Sequence, residues 1–199
     1  MTRKVWSCNN MCEIALRDAR YTELAEIAHV MATAFWEDNL FGQLIHPHRD
    51  EHPDDVDLYW LRRARVNFWD FRWKWLVATT KDVNGNEVIA GIAQWARLGD
   101  GGQKMDCWYL DPRKRAESWY LEALAVRPDF QGQGVGYKLV QWGIQRAREE
   151  GICASVVSAK GKDGFYTKCG FDEQYGSARQ GEGNPLAEVE GANMFWKWP

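Results

Sequence analysis

The stretch Leu121-Glu122-Ala123-Leu124-Ala125-Val126-Arg127-Pro128-Asp129-Phe130-Gln131-Gly132-Gln133-Gly134-Val135-Gly136-Tyr137-Lys138-Leu139 decides the fold. Its first part, from Trp119 to Val126, is apolar and reads as a strand. Pro128 ends it, because proline has no N–H for a central ladder. Gly132, Gly134 and Gly136 follow, where the backbone must bend tightly without side chains. Apolar positions then recur as Leu139, Val140, Gly143, Ile144 and Ala147, the stripe of a helix over residues 136–150, with Gly151 as its C-cap. A glycine turn that runs straight into a helix presents unpaired N–H groups and the positive end of a dipole. It is a site for phosphate oxygens.

Three nucleotide readings compete for that turn. A Walker loop needs Lys-Ser or Lys-Thr after its last glycine, whereas Gly136 is followed by Tyr137-Lys138-Leu139. A dinucleotide fingerprint needs Gly-x-Gly-x-x-Gly, and glycines at 132, 134 and 136 do not give that spacing. The third reading is the pyrophosphate of coenzyme A.

Outward from the turn, the chain alternates strands and helices. Glu13 to Arg17 reads as a first strand, and a helix capped by Thr22 runs to Phe35. Asp54-Asp55 caps a second helix that ends near Asp70. Trp73–Thr80 and Glu87–Arg97 flank Asn84-Gly85-Asn86, a hairpin signal. Residues 98–117 read as a polar loop, Cys153–Ala159 as a buried strand, and Asp163–Cys169 as a short helix ended by Gly170. Phe171–Tyr175 and Ala192–Trp198 close the order, which is that of a mixed α/β layer fold.

Composition bounds the function. The chain has 199 residues, 45% hydrophobic and 27% charged, with a net charge of −3. That size suits one domain over residues 1–199, with 1–12 as an N-terminal extension. The charge gives no footprint for nucleic acid. The run Arg62-Arg63-Ala64-Arg65 reads as a solvated helix face. No apolar run nears the ~20 residues of a membrane span, and Met1 to Asn10 lacks the apolar core of a signal peptide. The five cysteines, Cys8, Cys12, Cys107, Cys153 and Cys169, are odd in number and read as free thiols in a reducing, cytoplasmic setting. Cys8 and Cys12 lack a second pair for zinc, and His46, His48 and His52 lie among prolines without a further ligand, so no metal is expected. Twelve tryptophans stand out. Trp36, Trp60, Trp69, Trp73 and Trp75 suit either core packing or an aromatic acceptor pocket.

The turn resembles the GNAT acetyltransferase family. Gln131-Gly132-Gln133-Gly134-Val135-Gly136 fits its signature Gln/Arg-x-x-Gly-x-Gly/Ala, and the strand before it is similar to the family's central segment. Gly164-Phe165-Tyr166-Thr167-Lys168-Cys169-Gly170-Phe171 looks like its Tyr-containing stretch, and Ile14 to Ala19 like its first strand and turn. The Pro-His-rich region after the first helices is similar to that of fungal members. The resemblance covers residues 13–198 and is specific over 119–171.

It implies a mixed sheet of six to seven strands, splayed between the fourth and fifth around acetyl-CoA. The backbone of Leu124, Ala125 and Val126 would pair with the pantetheine arm. N–H groups from Gln131 through Gly132, Gln133, Gly134, Val135 and Gly136 to Tyr137 would hold the pyrophosphate, with Gln131 and Lys138 side chains placed to assist. Ser158 and Lys160 would touch the pantetheine or adenosine arm, although no Asn stands between Cys153 and Gly170 where many members carry one. Tyr166 occupies the family's position for an acid near the CoA sulfur. Glu122 is the candidate base, on a strand where period two puts it on a face with Tyr120 and Leu124. Cys169 is a weak nucleophile candidate, with no nearby His.

The implied function is acetyl transfer to a primary amine of a small molecule, by a monomer or homodimer. The competing readings are a protein acetyltransferase, to which Asp100, Asp106 and Asp111 are suited, and a non-catalytic acyl-CoA sensor.

Overall fold

A computed structural model describes residues 13–82, 84–99 and 117–199. Seven strands form one sheet in the order β1-β2-β3-β4-β5-β7-β6. They are β1 (Ala15–Asp18), β2 (Trp73–Lys81), β3 (Glu87–Leu98), β4 (Ser118–Val126), β5 (Cys153–Ala159), β6 (Glu173–Ser177) and β7 (Gly191–Lys197). Among the described residues, only β4 and β5 pair in parallel. The helices are α1 (Leu24–Ala34), α2 (Pro53–Asn67), α3 (Val135–Glu150) and α4 (Asp163–Lys168). Among the described residues, no helix is long and apolar enough to cross a membrane.

Two layers cover the sheet. α1 and α2 bury Ile27, Met31, Val56 and Trp60 against Trp75, Val77, Ile92, Ala123 and Ala125. α3 buries Val135, Leu139, Val140, Ile144 and Ala147 on the other face, against Leu76, Ala93, Trp95 and Leu121. Each such aliphatic side chain contributes roughly 1.5–3 kcal/mol on burial. α3 lies very close to the sheet. A Cβ on Gly143 would come within 2.2 Å of the Trp95 ring, and one on Gly91 within 2.8 Å of Val135. Gly151 ends α3 at φ +66, as the C-cap reading expects.

The hairpin between β2 and β3 forms as its turn residues dictate. Gly85 takes φ +80, and the Asp82 carboxylate accepts from the N–H groups of Asn84 and Asn86, both at 2.8 Å. Other boundaries move. Thr22 does not cap α1; it lies within a 3₁₀ turn, Tyr21–Glu23, and Glu23 caps the helix. α2 starts earlier than expected, with His52 at the cap and Pro53 in the first helical position, where a missing N–H costs nothing. Asp54 and Asp55 then sit in its first turn, facing the dipole. β6 begins two residues after the expected Phe171, because Phe171 is buried against Tyr166 and its N–H closes α4 on the Tyr166 carbonyl. A π-helical turn, Asn39–Leu44, follows α1 and had no reading in the sequence. The polar loop from 100 to 116, with Asp100, Asp106, Cys107 and Asp111, lies outside the described residues, as do Cys8 and Cys12.

Candidate active site

β4 and β5 pair only from Ser118–Cys153 to Leu121–Val156. Beyond that point both strands continue, β4 to Val126 and β5 to Ala159, without pairing to each other. The sheet therefore opens between its fourth and fifth strands, and the segment Leu124–Val126 has no strand partner on its β5 side. Such an edge accepts an extended, amide-bearing ligand as it would another strand.

The glycine turn leads from that edge into α3. Gly132 has φ +76 and Gly134 φ +82, values that L side chains rarely adopt. A Cβ at either would meet nothing within 4 Å, so there is open space beside both glycines. Gly136 differs: a Cβ there would touch Phe165 at 3.3 Å, so this glycine serves close packing against α4. α3 starts without a side-chain cap, and its first backbone hydrogen bond runs from the Lys138 N–H to the Gly134 carbonyl at 3.0 Å. The N–H groups of its first turn are thus offered outward, where an anion fits. Pyrophosphate suits this open cradle, and a pantetheine chain suits the unpaired strand edge behind it.

The turn's side chains are used differently from the expectation. Gln131 donates from Nε2 to the Val126 carbonyl at 3.2 Å, and Gln133 to the Asp129 carbonyl at 3.0 Å. Both shape the turn. Lys138 donates to the Ile14 carbonyl at 3.1 Å and ties α3 to the start of β1. Tyr137 is exposed at the mouth. Ser158 is fully buried and donates to the Ala159 carbonyl, and Lys160 pairs with Glu190.

Tyr166 lies in α4, 8% exposed, with its ring against Phe165, Phe171 and Phe195. It shares one core with Leu124 and Val126. Burial pushes its phenol well above the usual range, and Cys169 and the Asp38 carboxylate push it the same way. It is a protonated hydroxyl at any physiological pH. Burial also pushes the Cys169 thiol up to about 11, which makes that residue a packing cysteine and a poor nucleophile.

Glu122 sits elsewhere than the period-two reading expects. β3 pairs Gln94 with Ala123 and Trp95 with Leu121, which leaves Glu122 as the extra residue of a β-bulge. The bulge turns Glu122 and Ala123 toward the α1–α2 layer, while Leu124 packs on the α3 side. Glu122 therefore does not share a face with Leu124. Its carboxylate, 19% exposed, is ion-paired with Arg63 of α2. Arg63 is accordingly not part of a solvated face.

Glu122 and Arg63 stand at an open cavity of about 880 Å³ between α2 and the start of β2, walled also by Tyr59, Trp73, Arg62 and Arg72. Of the five clustered tryptophans, Trp60 and Trp75 are core residues and Trp73 lines this cavity. Trp69 is exposed, against Tyr21 and Phe68. Of two further residues at the site, Arg63 was read only as part of a solvated helix face and Asp38 was not read at all. Arg63 was hidden in a basic run, and only the buried Ala64 beside it hinted at an inward face. Asp38 caps the π-helical turn, accepting from the N–H groups of Leu40 at 3.0 Å and Phe41 at 2.8 Å, and so stands near Tyr166. Its signal was an Asp-Asn pair after a helix. Among the described residues no group of three metal-ligating side chains occurs, and His46 instead bonds the Phe41 carbonyl through Nδ1 at 2.6 Å.

An uncharacterized N-acetyltransferase of Methanocaldococcus jannaschii is 27% identical over 128 residues, 59% of this chain and 50% of that protein. The chain thus spans about half the length of that curated relative. The crystal structure of histone acetyltransferase HPA2 and related acetyltransferase from Corynebacterium glutamicum superposes with a TM-score of 0.67 at 21% identity, covering 94% of this chain and 96% of that one. A predicted acetyltransferase from Clostridium acetobutylicum, solved with acetyl-CoA, superposes with a TM-score of 0.58 at 15% identity, covering 89% and 99%. The profile of the Acetyltransferase (GNAT) family matches residues 35–171, which take in the cap at Asp38, α2, the bulge, the splay, the glycine turn and Tyr166. With the fold, the opened β4–β5 edge and the turn in place, the chain belongs to the Acetyltransferase (GNAT) family.

Proposed function

We propose that the protein transfers an acetyl group from acetyl-CoA to a primary amine of a small molecule, by direct attack within a ternary complex. The opening of β4 from β5 beside an open glycine turn is the observation that carries this reading. Acetyl-CoA supplies the activated acyl thioester. The α3 N–H groups from Val135 to Tyr137 hold its pyrophosphate, and the Leu124–Val126 segment, without a strand partner toward β5, holds the pantetheine arm. A β4 N–H near Val126 stabilises the negative charge that grows on the thioester oxygen.

Tyr166 delivers the proton that the departing thiolate needs. Its buried, protonated phenol suits a donor rather than a base. An amine arrives protonated at neutral pH, and Glu122 takes that proton directly or through water. The cavity of about 880 Å³ beside Glu122 has room for a small acceptor. One domain spans residues 1–199 with 1–12 as an extension, acting in the cytoplasm as a monomer or homodimer. The likeness to fungal members rests on His46–Pro53.

Steady-state thiol release with varied acetyl-CoA and amine tests the reaction. Intersecting initial-velocity lines are expected for a ternary complex. Parallel lines would mean a covalent acyl-enzyme and overturn direct attack. Thiol release with histone peptides alone would favour the protein-acceptor reading. Tight acetyl-CoA binding with no turnover of any amine or peptide would favour the sensor.

A further inference from the structure

Arg63 reaches Glu122 from the C-terminal half of α2. Its guanidinium carbon lies 5.9 Å from the ring centroids of both Phe41 and Trp60, so two aromatic faces hold it at the cavity wall. Its Nε is buried without a hydrogen-bond partner, while the side chain as a whole is 30% exposed. Arg62, next along the helix, is exposed on the same cavity and forms no ion pair among the described residues. The other charged groups that face the cavity are Asp55 on α2, and Asp70 and Arg72 in the turn before β2. Those last two are spent on each other, with Arg72 Nε 2.9 and 3.0 Å from the two carboxylate oxygens.

An amine approaching Glu122 at neutral pH is an ammonium. It meets Arg63 on the carboxylate it must reach, a like charge at contact distance. An acceptor with an anion beside its amine resolves the conflict. The anion draws the Arg63 fork, whose planar donors match carboxylate and phosphate alike, and the ammonium takes the oxygen that Arg63 leaves. One internal ion pair is exchanged for two intermolecular ones. We infer that the acceptor is an amine carrying a carboxylate or phosphate close to its amino group, and that Arg63 selects it by exchanging Glu122 for that anion. This inference rests on the acetyltransferase reading above.

Protons balance in this scheme. One ammonium proton passes to Glu122. The nitrogen then forms the C–N bond as the C–S bond breaks, the thiolate takes the Tyr166 proton, and the second amine proton returns to Tyr166. The net products are amide, thiol and one proton released by Glu122 to water.

The test compares matched amines by thiol release. One arm sets α-amino acids against the amines left by their decarboxylation, and the other sets aminoalkyl phosphates against the parent amino alcohols. The wild-type protein is expected to favour at least one anion-bearing member by ~10-fold or more in kcat/KM. Which arm responds separates carboxylate from phosphate. Arg63→Met is expected to erase that preference, a loss of ~10- to 100-fold for the anion-bearing member, as for a charged hydrogen bond. The anion-free partner should fall by less, so that the ratio within each matched pair is the readout and approaches one. Arg63→Lys, which keeps the charge and loses the fork, should fall between, and guards against misfolding of the Met variant.

Equal or better use of the anion-free amines by the wild type would overturn the inference. So would an equal fall for both members in Arg63→Met, or no turnover of any member by a protein that acetyl-CoA stabilises. Absence of that stabilisation strikes the acetyltransferase reading itself, and this inference with it.

Discussion

In the proposed reading, β4 would meet the donor with backbone on one side and the acceptor with side chains on the other. Toward β5 the end of the strand has no strand partner, and the turn that follows has open space beside Gly132 and Gly134, both at positive φ. Toward α2 it presents Glu122, lifted out of register by a bulge and held by Arg63. Backbone recognition depends on a few positions close in sequence and tolerates little change there. Side-chain recognition draws on residues 59 positions apart in Arg63 and Glu122, and each can change without disturbing the sheet.

Substitutions on the two sides should therefore fail differently. The largest effect is expected from Gly134→Glu, which places a carboxylate in the anion cradle and forces an L residue to φ +82. Acetyl-CoA binding should be lost in calorimetric titration, with a modest ~1–2 kcal/mol cost in stability from the backbone alone. Retained affinity would remove the turn from the donor site.

Tyr166→Phe comes next, and it divides chemistry from binding. Turnover should fall by ~100-fold or more, a general-acid contribution, with acetyl-CoA affinity unchanged. The variant also has a pH signature. The folded-state phenol is raised above its ordinary value near 10, so the wild type gains no stability penalty below that pH and loses stability as pH rises past it, where the unfolded chain ionises first. Urea midpoints between pH 9 and 11 should fall more steeply for the wild type than for Tyr166→Phe. Parallel profiles would show that the phenol is not held neutral by the fold.

Gly143→Ala probes the platform behind the site. Its Cβ would enter the Trp95 ring at 2.2 Å. A loss of about 2–3 kcal/mol is expected, seen as a melting temperature lower by roughly 5–10 °C for a chain of this size. The further rise with acetyl-CoA should survive. Loss of that rise would mean that the α3 position and the cradle are one unit.

The same contrast explains what could be read from the sequence. The donor side was legible because its physics is local. Glycines at 132 and 134, a strand before them and an apolar stripe after them mark the turn without knowledge of any distant residue. β2, β3 and the hairpin between them were legible for the same reason, through Asp82, Gly85 and the alternation around them. The acceptor side was not. A bulge at Glu122 depends on the register of β3, and period two alone misassigns its face. Arg63 looks like surface until α2 packs with Ala64 inward. The inward turn of Ser158 and the engagement of Gln131 by Val126 also follow from tertiary packing, since each hydroxyl or amide takes the partner the fold leaves nearest.

The central claim is that the open turn and the splayed strands form an acyl-CoA site. A thermal melt with acetyl-CoA, and with ATP and NAD as controls, tests it most directly. At about 100 times its Kd a ligand adds roughly 2.7 kcal/mol, which is several degrees at about 2–4 °C per kcal/mol. The account predicts that rise with acetyl-CoA and none with ATP or NAD. No rise with acetyl-CoA, or an equal rise with either nucleotide, would contradict it.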